Sequence, residues 1–276
     1  MPRDYNAYLS TSGVMLGMGL HNLASAGYIL IAKAAVARKT VLWILGLFAF
    51  LSLSGFLGLQ VFTIDFISSP YLEGPDFLGK LFFFNYLLNL LTTTFITSLV
   101  VVRVRLFFGN SPFTYLMYVM GVLTIIGKGC GNAVGMYTSA RFINGEYKSP
   151  PEDPLYPKIA LIMAFALTFE AIFTAIGTGS FLAFLLDFDF SSLNRQNDVL
   201  FKEVLRLSLI LFFNVLNAIF AVWIAFDDNW ISHNGFFMDS LTYSLELYAF
   251  LELSYYNAKA LVIENMKSKS SEKSRY

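Results

Sequence analysis

The sequence predicts an all-α fold, a polytopic membrane protein built as a bundle of seven transmembrane helices. Two observations carry this expectation. Hydrophobic residues fill 56% of the 276 positions and charged residues only 14%, against about a quarter charged in a soluble domain. Apolar runs of about 20 residues or more also recur with short polar breaks, each long enough for a hydrocarbon core of about 30 Å. In lipid every backbone N–H and C=O must be bonded within the chain, which leaves only helices and closed barrels. Barrel strands are about ten residues long and alternate; these runs do neither.

The runs lie near 12–34, 41–64, 80–102, 113–138, 158–186, 204–226 and 237–262. The first follows hardly any basic residues and is too long for the apolar part of a signal peptide, so it reads as a retained helix. The second runs out at 65–79, where Asp65, Pro70, Glu73, Gly74, Pro75 and Asp76 gather. The third stops at Arg103 and Arg105. After the fourth, 139–157 carries Asn144-Gly145, Pro150-Pro151, Pro154 and Pro157, strong turn and loop signals. After the fifth, Asp187, Asp189, Asn194, Arg195, Gln196, Asn197 and Asp198 mark another break. The seventh holds Asp239, Glu246, Glu252 and Lys259, yet Leu245, Leu247, Phe250, Leu251 and Leu253 sit among those charges, so it reads as a span. An amphipathic helix lying on the surface is the alternative there. Lys259 falls near the boundary, where it snorkels to the headgroups. Residues 1–266 form one domain, and the Lys/Ser/Glu run at 267–276 reads as a disordered tail.

Basic residues set the orientation. Thirteen of the 19 Lys and Arg fall on one side, among them Lys33, Arg38, Lys39, Arg103, Arg105, Arg195 and Lys202, against Arg3, Lys80, Arg141, Lys148 and Lys158 on the other. The N-terminus is therefore expected outside or in a lumen and the C-terminus in the cytosol, in the plasma membrane or an endomembrane.

Several function classes drop out. The 19 basic residues cancel 19 acidic ones, so nothing points to nucleic acid. One Cys excludes a disulfide within the chain and a cysteine zinc cluster, and two His exclude a three-imidazole metal site. No Gly-x-Ser-x-Gly elbow, His-Glu-x-x-His or phosphate loop is present. The expectation is a non-enzyme without cofactor or metal. Rhodopsin-type receptors would carry Asp/Glu-Arg-Tyr after the third helix and Asn-Pro-x-x-Tyr in the seventh; here those places read Val102-Arg103-Val104-Arg105 and Tyr255-Tyr256-Asn257-Ala258. All eight Pro lie at the terminus, in loops or at helix boundaries, so kinked or broken helices are not written in.

Polar groups inside the spans are then the informative residues, because an ionisable side chain in a membrane costs about 2.5–3.5 kcal/mol and turns to the bundle interior. At 100° per residue the fourth helix gathers Gly121, Thr124, Gly127, Lys128, Gly131, Asn132 and Gly135 in one stripe. Glycines four apart let a neighbouring helix approach closely, so the stripe is a packing seam as well as a polar one. Lys128 needs a partner. In the fifth helix Glu170 and Thr174 share a face, and Glu170 lies as deep as Lys128, roughly 14–18 Å below the outer boundary at 1.5 Å per residue. His21, with Ser25 one turn on, Asn89, Asn217 and Glu246 fall near the same level. Cys130 reads as inert packing. A layer of this kind suits a pocket open to the outside in a receptor-like protein that binds a small ligand or signal. It also suits a proton-coupled carrier. Ordinary interhelical hydrogen bonding in a structural endomembrane protein is the plainest alternative.

Overall fold

A computed structural model describes residues 5–32, 40–68, 75–146, 153–186, 205, 207–216, 218–219, 222, 241, 243–245 and 247. Five long helices make up most of it: α1 (Tyr5–Ala32), α2 (Thr40–Ser68), α3 (Pro75–Phe108), α4 (Pro112–Ile143) and α5 (Tyr156–Leu186). A shorter apolar helix follows, α6 (Leu207–Leu216), and the described residues from 241 to 247 are helical too. No strand occurs among the described residues. Four helices, α2 to α5, are long and apolar enough to cross a membrane. The described part of the chain is that of an α-helical membrane protein. The tail at 267–276, and the site candidates Asn217 and Glu246, lie outside the described residues.

The helices overrun the apolar stretches that predict them. α3 covers 34 residues and α4 covers 32, about 50 Å each at 1.5 Å per residue, so their ends stand clear of the hydrocarbon. Helix α1 likewise begins at Tyr5 rather than near residue 12. Hydropathy marks where lipid ends; the backbone ladder continues until something breaks it. For α3 the break is Gly109, at φ +61°, whose N–H still bonds the Arg105 carbonyl at 3.0 Å. Two residues later Ser111 caps α4 by accepting from the Thr114 N–H at 3.2 Å, with Pro112 in the first turn. At its far end Gly145 takes φ +75°. There the Gly145 and Glu146 N–H groups bond the Phe142 and Arg141 carbonyls at 3.0 and 3.1 Å, a Schellman closure. The break predicted from residue 139 therefore starts five residues later, where Asn144-Gly145 supplies the turn.

Consecutive helices pack in order, α1 on α2, α2 on α3, α3 on α4 and α4 on α5, with α3 also reaching α5. One apolar core joins Met15 of α1, Phe50, Leu53, Phe56 and Leu57 of α2, and Ile96 and Leu99 of α3 to Tyr243 and Leu247. A second joins Val100, Val101 and Val104 of α3 to Met117 of α4 and Phe173 of α5. Helix α4 is inverted relative to a soluble helix. Its buried set includes Thr124, Lys128, Asn132, Thr138 and Ser139, while Leu116, Val119, Val122, Leu123 and Ile126 are exposed. Apolar side chains facing out and polar ones facing in is the pattern of a helix solvated by lipid.

Glycine allows α4 to sit close to its neighbours. A Cβ on Gly135 would lie 2.6 Å from the ring of Tyr86 on α3, and one on Gly121 would lie 2.9 Å from Val101. A Cβ on Gly131 would run into the side chain of Met163 on α5. The expected seam is real, and it serves both flanks of α4. Cys130 departs from expectation: it is exposed, because 100° per residue turns position 130 away from the face holding Lys128 and Asn132.

Candidate functional site: a buried ion pair closed by a tyrosine

Lys128 comes from the middle of α4 and Glu170 from the middle of α5. Because the two helices are consecutive and antiparallel, residues at equal depth meet. The Lys128 Nζ lies 2.9 Å from Glu170 Oε2. Lys128 is fully buried, and Glu170 is 6% exposed. Two unit charges removed from water in this way need every remaining hydrogen-bonding position filled to offset desolvation.

Tyr243 does much of that filling. Its hydroxyl donates to Glu170 Oε1 at 2.8 Å and accepts from Lys128 Nζ at 3.2 Å, and the ammonium lies 5.6 Å from the centre of its ring. Both carboxylate oxygens are thus engaged, one by the ammonium and one by the phenol. The same hydroxyl is 2.9 Å from Thr93 Oγ1 on α3, and Thr93 donates to Asn89 Oδ1, one turn away, at 3.4 Å. Since the phenol proton goes to Glu170, the Tyr243 oxygen acts as acceptor toward Lys128 and toward the single Thr93 proton, which it shares with Asn89 Oδ1 at the longer distance. Four parts of the chain converge on one oxygen: α3, α4, α5 and the segment around Tyr243.

Most of the expected residues are near this centre. Asn132 is fully buried one turn from Lys128 and donates from Nδ2 to the Lys128 carbonyl at 2.8 Å, which holds its side chain against the α4 backbone. Asn89 is fully buried and enters through Thr93. Thr174 is buried one turn beyond Glu170. His21 is placed differently. Its side chain lies on the exposed face of α1, and the Ser25 hydroxyl bonds its carbonyl at 2.9 Å. The buried polar residue of that turn is Asn22, whose Nδ2 donates to Ser244 Oγ at 3.1 Å. Asn22 and Ser244 fasten α1 to the residue following Tyr243.

Sequence reasoning passed over Tyr243 and Asn22. One signal for Tyr243 was available, since a buried phenol needs a hydrogen-bond partner and the seventh run places this one three residues before Glu246. At this level Lys128, Glu170, Tyr243, Thr93 and Asn89 are linked side chain to side chain, and Lys128, Asn89, Thr93 and Asn132 are all fully buried.

A second polar cluster closes the C-terminal end of α4. Arg141 pairs with Glu146 at 2.7 Å and with the buried Asp153 at 3.3 Å, and Asp153 Oδ1 accepts from the Leu155 N–H at 2.9 Å just before α5 begins. This staples the α4–α5 connection. No group of three His, Cys, Asp or Glu suited to a metal occurs among the described residues. Comparison with protein-family models, curated proteins and solved structures gives no match.

Proposed function

We propose that the chain is a seven-span, receptor-like membrane protein, with its N-terminus outside or in a lumen and its C-terminus in the cytosol, in the plasma membrane or an endomembrane. A small ligand or signal acts on it by loosening the Lys128–Glu170–Tyr243 contact. The single observation behind this reading is that one tyrosine oxygen ties a buried ion pair between α4 and α5 to α3. An ionisable residue inside a membrane marks a functional site by default. A junction shared by four segments is one whose opening would be felt at the far ends of all of them. The continuity of α3, α4 and α5 favours a receptor over an ion-coupled carrier, whose binding helices are commonly broken near the midplane. No catalytic step enters this reading.

A carrier reading has one observation of its own. Thr93, Tyr243 and Glu170 form a run of donors and acceptors suited to handing on a proton. One set of measurements on full-length protein in sealed vesicles separates the readings. Spin labels at the cytosolic ends of α3 and α5 report their separation, and a trapped dye reports proton flux. The receptor reading expects the separation to change in Glu170→Gln with no flux in either form. A pH-driven flux that disappears in Glu170→Gln would replace it with the carrier. Neither movement nor flux would leave a structural membrane protein. Accessibility of a C-terminal tag from the cytosolic side checks the seven-span count and orientation.

A further inference from the structure

Two amide atoms beside the ion pair have no hydrogen-bond partner among the described residues, Asn89 Nδ2 on α3 and Asn132 Oδ1 on α4. Both residues are fully buried, and a buried polar atom left unmatched costs about 1–3 kcal/mol. Each side chain is already fixed by its other end, Asn89 through Thr93 and Asn132 through the Lys128 carbonyl. Their free ends are therefore held in place. The helix register puts them at one level. Tyr86 lies against Gly135 on the outer side, and Thr93 meets Lys128 through Tyr243 on the inner side. Asn89 and Asn132 fall midway between those contacts on facing antiparallel helices. The Thr92 hydroxyl, also fully buried and without a partner among the described residues, is the next polar group on α3.

We infer that Asn89 and Asn132 form a binding site for a single neutral hydroxyl, which accepts from Asn89 Nδ2 and donates to Asn132 Oδ1. The chemistry selects the occupant. The site offers one donor and one acceptor, the complement of an O–H group. It stands beside charges that already neutralise each other, so an ion entering it would be left without a counter-charge. The ring of Tyr86, admitted by the missing Cβ of Gly135, covers the side away from the ion pair. The hydroxyl belongs either to water or to an alcohol group of a membrane amphiphile. An amphiphile here would be the signal of the receptor reading, whereas the site itself stands on the amide geometry alone.

The test is a thermal-stability cycle on the full chain in lipid nanodiscs, with Asn89→Leu, Asn132→Leu and the double variant, made with and without sterol, together with infrared difference spectra in water and in water labelled with oxygen-18. A shared hydroxyl predicts that the double variant melts no lower than the worse single, since the second substitution removes a group already orphaned. Melting shifts that add, with no isotope-sensitive O–H band and no sterol effect on the unsubstituted protein, overturn the site. A band that moves with oxygen-18 and vanishes in Asn132→Leu identifies water. A sterol-dependent rise in melting temperature lost in the same variant identifies the amphiphile. Should the leucine variants fail to insert, the spectra and sterol series on the unsubstituted chain still decide. None of these readouts depends on movement of the cytosolic helix ends, so the failure of the receptor reading is a separate result.

Discussion

Substituting Glu170 by Gln removes one charge from the membrane interior and changes almost nothing else. The amide keeps an oxygen that can accept from Lys128 or from Tyr243, and the volume is nearly the same. The ammonium of Lys128, fully buried and 2.9 Å from the site of the lost charge, then meets an amide dipole where it had a carboxylate, and keeps its contact with the Tyr243 hydroxyl. Breaking a buried ion pair by removing one partner costs about 3–5 kcal/mol. The retained hydrogen bonds put Glu170→Gln near the lower figure, about 3 kcal/mol, or roughly a hundredfold in the folding equilibrium at 1.4 kcal/mol per decade. Lys128→Met leaves a buried carboxylate without its counter-charge and falls toward the upper figure. Combining the two removes both charges and should return stability to within about 1 kcal/mol of the unsubstituted protein, because a buried pair is often no better than uncharged groups of similar volume. Steric trapping of unfolding in bicelles measures all four forms. Single substitutions that each cost no more than about 0.6 kcal/mol, the average worth of an ordinary interhelical hydrogen bond, together with a double variant that is merely their sum, would show that the two charges do not act as a pair.

Tyr243→Phe keeps the ring over Lys128 and deletes the hydroxyl, losing its bonds to Glu170, Lys128 and Thr93. At about 0.6 kcal/mol each the same unfolding measurement should give a loss of about 2 kcal/mol, and no loss would remove the hydroxyl from its central role. Gly135→Ala places a methyl 2.6 Å from the rigid ring of Tyr86 and should cost about 1–3 kcal/mol as overpacking. Gly131→Ala meets the flexible end of Met163 instead and should cost less, so equal losses would count against the α3–α4 register. Gly145→Ala forces a side chain to adopt φ +75° and should cost about 1–2 kcal/mol without changing the level of membrane insertion. Cys130 is exposed close to the depth of Lys128; maleimide reacts with a hydrated thiolate, so it should label this residue in detergent-unfolded protein and not in intact vesicles, and equal labelling in both would place it in water.

The ion pair is legible in the sequence because it rests on depth alone. Two charged residues in consecutive spans, each a fixed number of 1.5 Å steps from the end where the helices are joined, have to meet if the helices are neighbours. The third member is not legible in that way. Tyr243 is one of 15 tyrosines, in a run where Glu246 and Asp239 look more conspicuous. Its importance comes from the reach of a phenol across the bundle, which helical periodicity along one segment does not encode. The exchange of His21 for Asn22 has a similar origin. Ser25 lies one turn from both, and a single residue of rotation, 100°, decides which of them faces inward. Helix ends are missed for another reason: hydropathy tracks lipid, while Gly109, Ser111 and the Asn144-Gly145 closure set where the backbone stops.

The central claim is direct contact between the Lys128 ammonium and the Glu170 carboxylate inside the bundle. Solid-state NMR on the full chain in lipid, with nitrogen-15 at the lysine Nζ and carbon-13 at the glutamate carboxyl, reads that contact as a dipolar coupling. The pair at 2.9 Å predicts a strong coupling between one lysine and one glutamate that is absent from Lys128→Met and from Glu170→Gln. A coupling that persists in those variants, or none at all in the unsubstituted protein, would contradict it.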